Sequence, residues 1–117
     1  MRYFTIDEFD SPDKTGSGTN MNKTLLSMLD EARAIAGIPF KINSGFRTEK
    51  HNKKVGGKKN SSHLNGLAVD IHCNDNGNRQ IILDSLRDVG FVRIGIAKTF
   101  IHCDIDYSKR QKRTWLY

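Results

Sequence analysis

The sequence predicts an α+β fold, an antiparallel sheet with helices packed mainly on one face. Three observations lead there. Two stretches, Leu25 to Ala36 and Ile81 to Val89, repeat apolar residues at helical spacing, as helices with one buried face do. Four others read as short strands from their apolar runs and period-two alternation, and two of these are separated only by Ala97-Lys98-Thr99, the spacing of a hairpin. The 117 residues, 37% of them hydrophobic, supply one small core, so residues 1–117 are read as a single domain. Helices segregated from a hairpin-rich sheet define the class.

Phe4, Ile6 and Phe9 open the chain, and Ser11 to Thr19 follows as a polar, Gly-containing loop. Leu25, Met28, Leu29, Ala32, Ile35 and Ala36 then form the apolar face of a helix, capped by Asn20 or Asn22 and ended by Gly37 before Ile38-Pro39. Phe40 to Asn43 alternates as a short strand, which Ser44-Gly45 breaks so that Phe46-Arg47 leave the sheet edge. A short helix from Thr48 to about Val55 leads into a loop, Gly56 to Ser62, without apolar anchors.

Leu67 to Cys73 is the best-patterned strand, with Leu67, Val69, Ile71 and Cys73 on a core face and Ala68, Asp70 and His72 on the other. Asn74 to Gly77 turns the chain. Asn78 is placed to cap a helix bearing Ile81, Ile82, Leu86 and Val89, which Gly90 ends. Phe91 to Ile96 and Phe100 to Asp106 make the hairpin. In its second strand Ile101, Cys103 and Ile105 share one face, and His102, Asp104 and Asp106 the other. The basic tail Lys109 to Arg113 ends in Trp115-Leu116-Tyr117, which is placed to pack back on the body.

Composition narrows the function. With 27% charged and 9% aromatic residues the chain is neither fibrous nor disordered, and no apolar run reaches the roughly 20 residues that cross a bilayer. Met1 to Glu8 lacks an apolar signal core, so synthesis in the cytoplasm without a signal peptide is expected. Cys73 and Cys103 are too few for a disulfide scaffold, and without a CxxC a Cys-only zinc site is excluded. The net charge of +6 is concentrated in two segments. Arg47 to Lys59 has six cations and one acid, and Tyr107 to Tyr117 has four cations and no acid. Such segments attract a polyanion, either nucleic acid or a bacterial wall polymer, or they are simply a solvated loop and tail.

The chemistry lies in the polar faces of the strands. If the strands starting at Leu67 and Phe100 are sheet neighbours with aligned core faces, Asp70, His72, His102 and Asp104 point to the same exposed side. Gly66 lets the chain turn so that His63 reaches the same point. Two imidazoles and one carboxylate suffice for a catalytic zinc site, which takes three protein ligands and leaves a position for water. Its default activity is hydrolysis. Magnesium and calcium prefer all-oxygen shells.

Ser61-Ser62-His63-Leu64-Asn65-Gly66-Leu67-Ala68-Val69-Asp70 resembles the SxHxxGxAxD signature of the zinc D-alanyl-D-alanine carboxypeptidase-like family, which includes wall peptidases, phage endolysins and the hedgehog signalling domain. Phe100 to Asp104 resembles its second signature, and Ser44-Gly45-Phe46-Arg47 its SG(Y/F)R segment. The resemblance, over roughly Phe40 to Asp106, implies that fold and Zn2+ held by His63, Asp70 and His102. It places Arg47 at the cleft, holding a substrate carboxylate or carbonyl, and Ser61 beside the metal, supporting the loop or touching the ligand shell. His72 is left as a substrate-facing or outer group. A Glu or Asp found in better-known members shortly before the last ligand is missing, since Thr99, Phe100 and Ile101 stand there. Asp104, on the same strand face as His102, is the available general base or else a carboxylate that orients His102. Strand alternation turns Cys73 and Cys103 into the core instead of toward the metal.

The resulting expectation is a monomeric zinc metallopeptidase hydrolysing an amide bond in a peptidoglycan stem peptide or cross-link, as a carboxypeptidase or endopeptidase. It would act on the wall after release or as part of a phage, with no membrane and no specific nucleic-acid partner. The rival is a catalytically silent zinc-containing module that binds cell wall or belongs to a phage particle, motivated by the missing upstream base.

Overall fold

Alternation along the central segments builds an open sheet of five strands. In the structure, a computed structural model describing residues 1–117, these are β1 (Ile42–Ser44), β2 (Ala68–His72), β3 (Arg93–Ile96), β4 (Phe100–Asp104) and β5 (Arg113–Leu116). Their spatial order is β1-β2-β4-β3-β5. The first three pairings are antiparallel, and β5 lies parallel to β3. The fold is α+β, with a mostly antiparallel sheet.

Val69, Ile71, Ile94, Ile101 and Cys103 leave one face of the sheet and meet Leu25, Leu29 and Ala32 of α1 (Lys23–Ala36) and Ile82 and Leu86 of α3 (Asn76–Asp88) in a single buried cluster. Each fully buried aliphatic side chain contributes roughly 1.5–3 kcal/mol, so this face fixes which side of every strand points inward. The Asn22 side chain caps α1 by accepting from the N–H groups of Thr24 and Leu25. Asp75, not Asn78, caps α3, accepting from the Asn78 N–H at 2.8 Å. Both apolar stripes are rotated slightly from the expected ones. Leu26 and Leu83 are buried, while Ile35 and Ile81 face solvent.

Three further differences shape the polar face. The first strand is shifted to Ile42–Ser44 and bulged, with Ile42 opposite Ile71 and Ser44 opposite Asp70. The loop before β2 contains a 3-10 turn, Ser62–Asn65, between α2 (Glu49–Lys54) and the strand. The tail after Asp104 does not merely fold back but adds β5 to the sheet, with the Arg113 N–H donating to the Val92 carbonyl and the Tyr117 N–H to the Ile96 carbonyl, each at 3.0 Å. Its run of cations hid this strand, because a parallel edge depends on backbone pairing and not on an apolar pattern.

The first residues are tied down by one buried carboxylate. Asp30 accepts from the backbone N–H groups of Arg2 and Tyr3 and from Arg2 Nε at 3.1 Å. Burial opposes its charge, but these donors outweigh that and hold its carboxyl below the usual range. A folded value below the unfolded one means that the contribution is complete above about pH 4 and is lost as pH falls through the lower folded value. Urea titrations between about pH 5 and about pH 3 are therefore expected to show a smaller acid-induced loss of stability in Asp30→Asn than in the wild type. Equal losses would mean that Asp30 carries none of it.

Candidate active site

Strand register assembles the site. Pairing of β2 with β4 sets Asp70 opposite His102 and Ala68 opposite Asp104, and β3 then brings Gly95 beside His102 and Arg93 beside Asp104. Since Ser44 pairs with Asp70 and Trp115 with Gly95, one row across the sheet reads Ser44, Asp70, His102, Gly95, Trp115. His63 arrives from the 3-10 turn through Gly66, whose φ of 69° favours glycine and where a Cβ would lie 2.2 Å from the Asn20 carbonyl oxygen.

His63, Asp70 and His102 each offer a ligand atom, and these atoms lie within 4.8 Å of one another. The Gly45 carbonyl fixes the tautomer of His63. The His63 Nδ1 is 2.8 Å from the Gly45 carbonyl oxygen, which can only accept, so Nδ1 carries the hydrogen and the Nε2 lone pair faces Asp70 Oδ1 at 3.3 Å. His102 lies between two carboxylates, with Nε2 2.8 Å from Asp104 Oδ2 and Nδ1 2.9 Å from Asp70 Oδ1, so a cation at the centre would take Nδ1 and leave Nε2–H to donate to Asp104. Three lone-pair donors converging on one point repel unless a proton or a cation lies among them. Two imidazole nitrogens and a carboxylate oxygen, each backed by a hydrogen-bond partner, suit a zinc-type ion better than magnesium or calcium. A proton is the alternative occupant. Burial opposes charge on His102, but hydrogen bonds to Asp104 and Asp70 and their negative charges outweigh it and raise its pKa. Burial likewise opposes charge on Asp70, yet the two histidines hold its carboxyl far below the usual range.

The polar face is not the exposed side that alternation alone suggests. Asp70 and His102 are 8% and 7% exposed and Asp104 is 1% exposed, with Trp115 from the added strand 5.5 Å ring to ring from His102 and residues of the 56–62 loop lining the same cleft. Asp104 is fully engaged. Its Oδ2 faces His102, and its Oδ1 accepts from Arg93 Nε at 2.7 Å and from the Asp106 N–H at 3.1 Å. Arg47 is held by Ser44 Oγ at 3.0 Å, Asn52 Oδ1 at 3.2 Å and Asp70 Oδ2 at 3.4 Å, with its side chain at the cleft. Ser61 lines the same cleft, and its Oγ accepts from the His63 N–H at 3.3 Å. His72 is not gathered in. It sits exposed beside Phe100, one row away from Asp70, and does not line the cleft.

The site opens into a cavity of about 560 Å³, within the range of small-ligand sites. Arg93, Lys58, Lys109, Trp115 and Tyr117 line it, and alternation within the predicted strands did not single them out. One signal was available. Gly95 inside a strand marks a close approach by another group, and a Cβ there would lie 2.6 Å from Trp115 Nε1 and 2.7 Å from Tyr117 Cε2. Cys73 and Cys103 are buried free thiols on the core side, and burial raises the pKa of Cys103.

The model of a family described as Peptidase M15 matches residues 2–104, which span all three candidate ligands. No curated protein matches the chain.

Proposed function

Because the chain belongs to the peptidase M15 family, we propose that it is a zinc metallopeptidase that hydrolyses an amide bond in bacterial peptidoglycan peptides. The observation that carries the reading is the convergence of His63, Asp70 and His102 donor atoms on the floor of a cleft. Zinc bound there would supply a water of lowered pKa and polarise the scissile carbonyl.

The chain's own residues would do the rest. Gly45 holds His63 in the tautomer that frees Nε2, and with a cation on Nδ1 of His102, Asp104 would accept from its Nε2–H. Arg47, already fixed by three partners, offers a planar guanidinium to the substrate carbonyl or carboxylate at little further loss of freedom. Ser61 braces the turn carrying His63. For Asp104 the geometry favours orienting His102 over acting as the general base, since both of its oxygens are taken and it is nearly inaccessible.

One observation favours the rival, a silent zinc-containing wall-binding module. Asp70 and Asp104 are the only acids lining the cleft, so no uncommitted carboxylate is present to accept a proton. Incubation of zinc-loaded protein with purified peptidoglycan separates the two. New amino termini and shortened stem peptides by mass spectrometry are expected. Sedimentation with the wall and release of nothing would overturn the peptidase reading and leave the binder.

A further inference from the structure

Asp106 is 3% exposed, and its carboxylate has no part in the proposed chemistry. It stands two residues past the end of β4, beyond the family match at 2–104. A buried carboxylate is costly unless donors surround it. Two of its donors are local, the N–H and the hydroxyl of Ser108, and would serve it equally well in an exposed turn. The third comes from 44 residues earlier in the chain, where the Ser62 hydroxyl, itself buried, donates to Asp106 Oδ2 at 2.7 Å. Lys109 Nζ completes the group by donating to Ser62 Oγ and to the Asn60 carbonyl, each at 2.8 Å, and lies 3.6 Å from Asp106 Oδ2.

Both arms of Asp106 lead to a candidate ligand. Ser62 directly precedes His63 in the 3-10 turn, so the carboxylate holds the backbone from which that imidazole projects. The Asp106 N–H donates at 3.1 Å to Asp104 Oδ1, and the other oxygen of Asp104 lies 2.8 Å from His102 Nε2. The two imidazoles have ring centres 5.3 Å apart. Strand pairing sets Asp70 against His102, but His63 belongs to no strand, and its distance from His102 is set by contacts outside the ladder. The Gly45 carbonyl and the Arg47 N–H, which donates to the His63 carbonyl at 3.1 Å, tie it to the β1 side. Asp106 ties it to the β4 side. We propose that Asp106 is a positioning residue of the metal centre, setting the separation of His63 and His102 through Ser62 on one side and Asp104 on the other. The proposal rests on the reading of His63, Asp70 and His102 as zinc ligands, and it assigns part of that centre to a residue outside the family match. Ligand distances at such an ion are held to within about 0.2 Å, so loss of a tie just behind the ligands is read as lost affinity.

Chelator competition on the full chain measures the zinc Kd, and the visible absorption of the cobalt(II)-loaded protein reports the geometry of the centre. Ser62→Ala removes one hydroxyl and lets Lys109 close the 3.6 Å gap to Asp106, so the circular dichroism of the wild type is expected to persist. Its zinc Kd should rise about tenfold, the low end of what an outer partner of a ligand contributes. Asp106→Asn should do the same, and both should shift the cobalt spectrum. The double variant should be no weaker than the poorer single one, since both break the same tie. Asp30→Asn loosens the first residues outside the cleft, so it should lower the melting temperature and leave the zinc Kd and the cobalt spectrum unchanged. A wild-type Kd and spectrum in either single variant, losses that multiply to about a hundredfold in the double one, or an equal loss in Asp30→Asn would overturn the proposal while the zinc reading stands. If Asp106→Asn does not fold, Ser62→Ala decides alone. A wild type that binds no zinc would overturn both.

Discussion

His63→Ala is expected to lose bound zinc and more than about a hundredfold of any peptide-cleaving activity while keeping the circular dichroism of the wild type. Loss of an outer partner of a metal ligand already costs about 10- to 100-fold, and loss of the ligand itself exceeds that. The fold should survive because His63 is on the polar side of the sheet, away from the cluster of Leu25, Leu29, Ile71 and Ile101 that holds the helices. What the variant leaves unpaired is the Gly45 carbonyl, a penalty of about 1–3 kcal/mol that lowers the melting temperature without unfolding the domain. Dialysis of the wild type against a chelator should reproduce the loss, and added zinc should restore the wild type but not the variant. One equivalent of zinc and normal cleavage in His63→Ala would remove this residue from the metal centre and the proposed mechanism with it.

The residues converging at this point were legible because they obey a local rule. Once Val69 and Ile71 are inside, Asp70 must be on the opposite face, and Ile101 and Cys103 place His102 there in the same way. Gly66 marked the turn that carries His63. The rest depended on pairing between distant segments. Arg93 meets Asp104 only because β3 lies beside β4 in that register, and Trp115 reaches His102 only because β5 adds in parallel beyond Gly95. Nothing in a run of lysines and arginines announces an edge strand. Trp115 of the same strand packs against His102 on a face that alternation left open and that holds three nearly inaccessible titratable groups. The commitment of both Asp104 oxygens was hidden for a similar reason, since its partners Arg93 and the Asp106 N–H come from register and a local turn.

Asp104→Asn separates the two roles open to that carboxylate. As the group that orients His102, Asp104 keeps the hydrogen on Nε2 and the lone pair on Nδ1, and its charge makes that nitrogen a stronger ligand. Asparagine can still accept from Nε2–H, but it removes the charge and leaves Arg93, whose side chain is 11% exposed, without its ionic partner. Zinc affinity should then fall about 10- to 100-fold, with turnover recovering toward wild type as free zinc is raised. A general base gives the opposite pattern, because its loss leaves the metal bound and lowers kcat by about 10²- to 10⁴-fold at every zinc concentration. Chelator competition for the zinc Kd, together with kcat measured against buffered free zinc, distinguishes them in one preparation. The alanine variant is the poorer probe, since besides the charge it removes the oxygens that face His102 Nε2, Arg93 Nε and the Asp106 N–H, and each buried donor left without a partner costs about 1–3 kcal/mol more. Wild-type zinc affinity in Asp104→Asn, with a depressed kcat that zinc does not rescue, would return the proton-accepting role to Asp104 and require its carboxylate to leave Arg93 during the reaction.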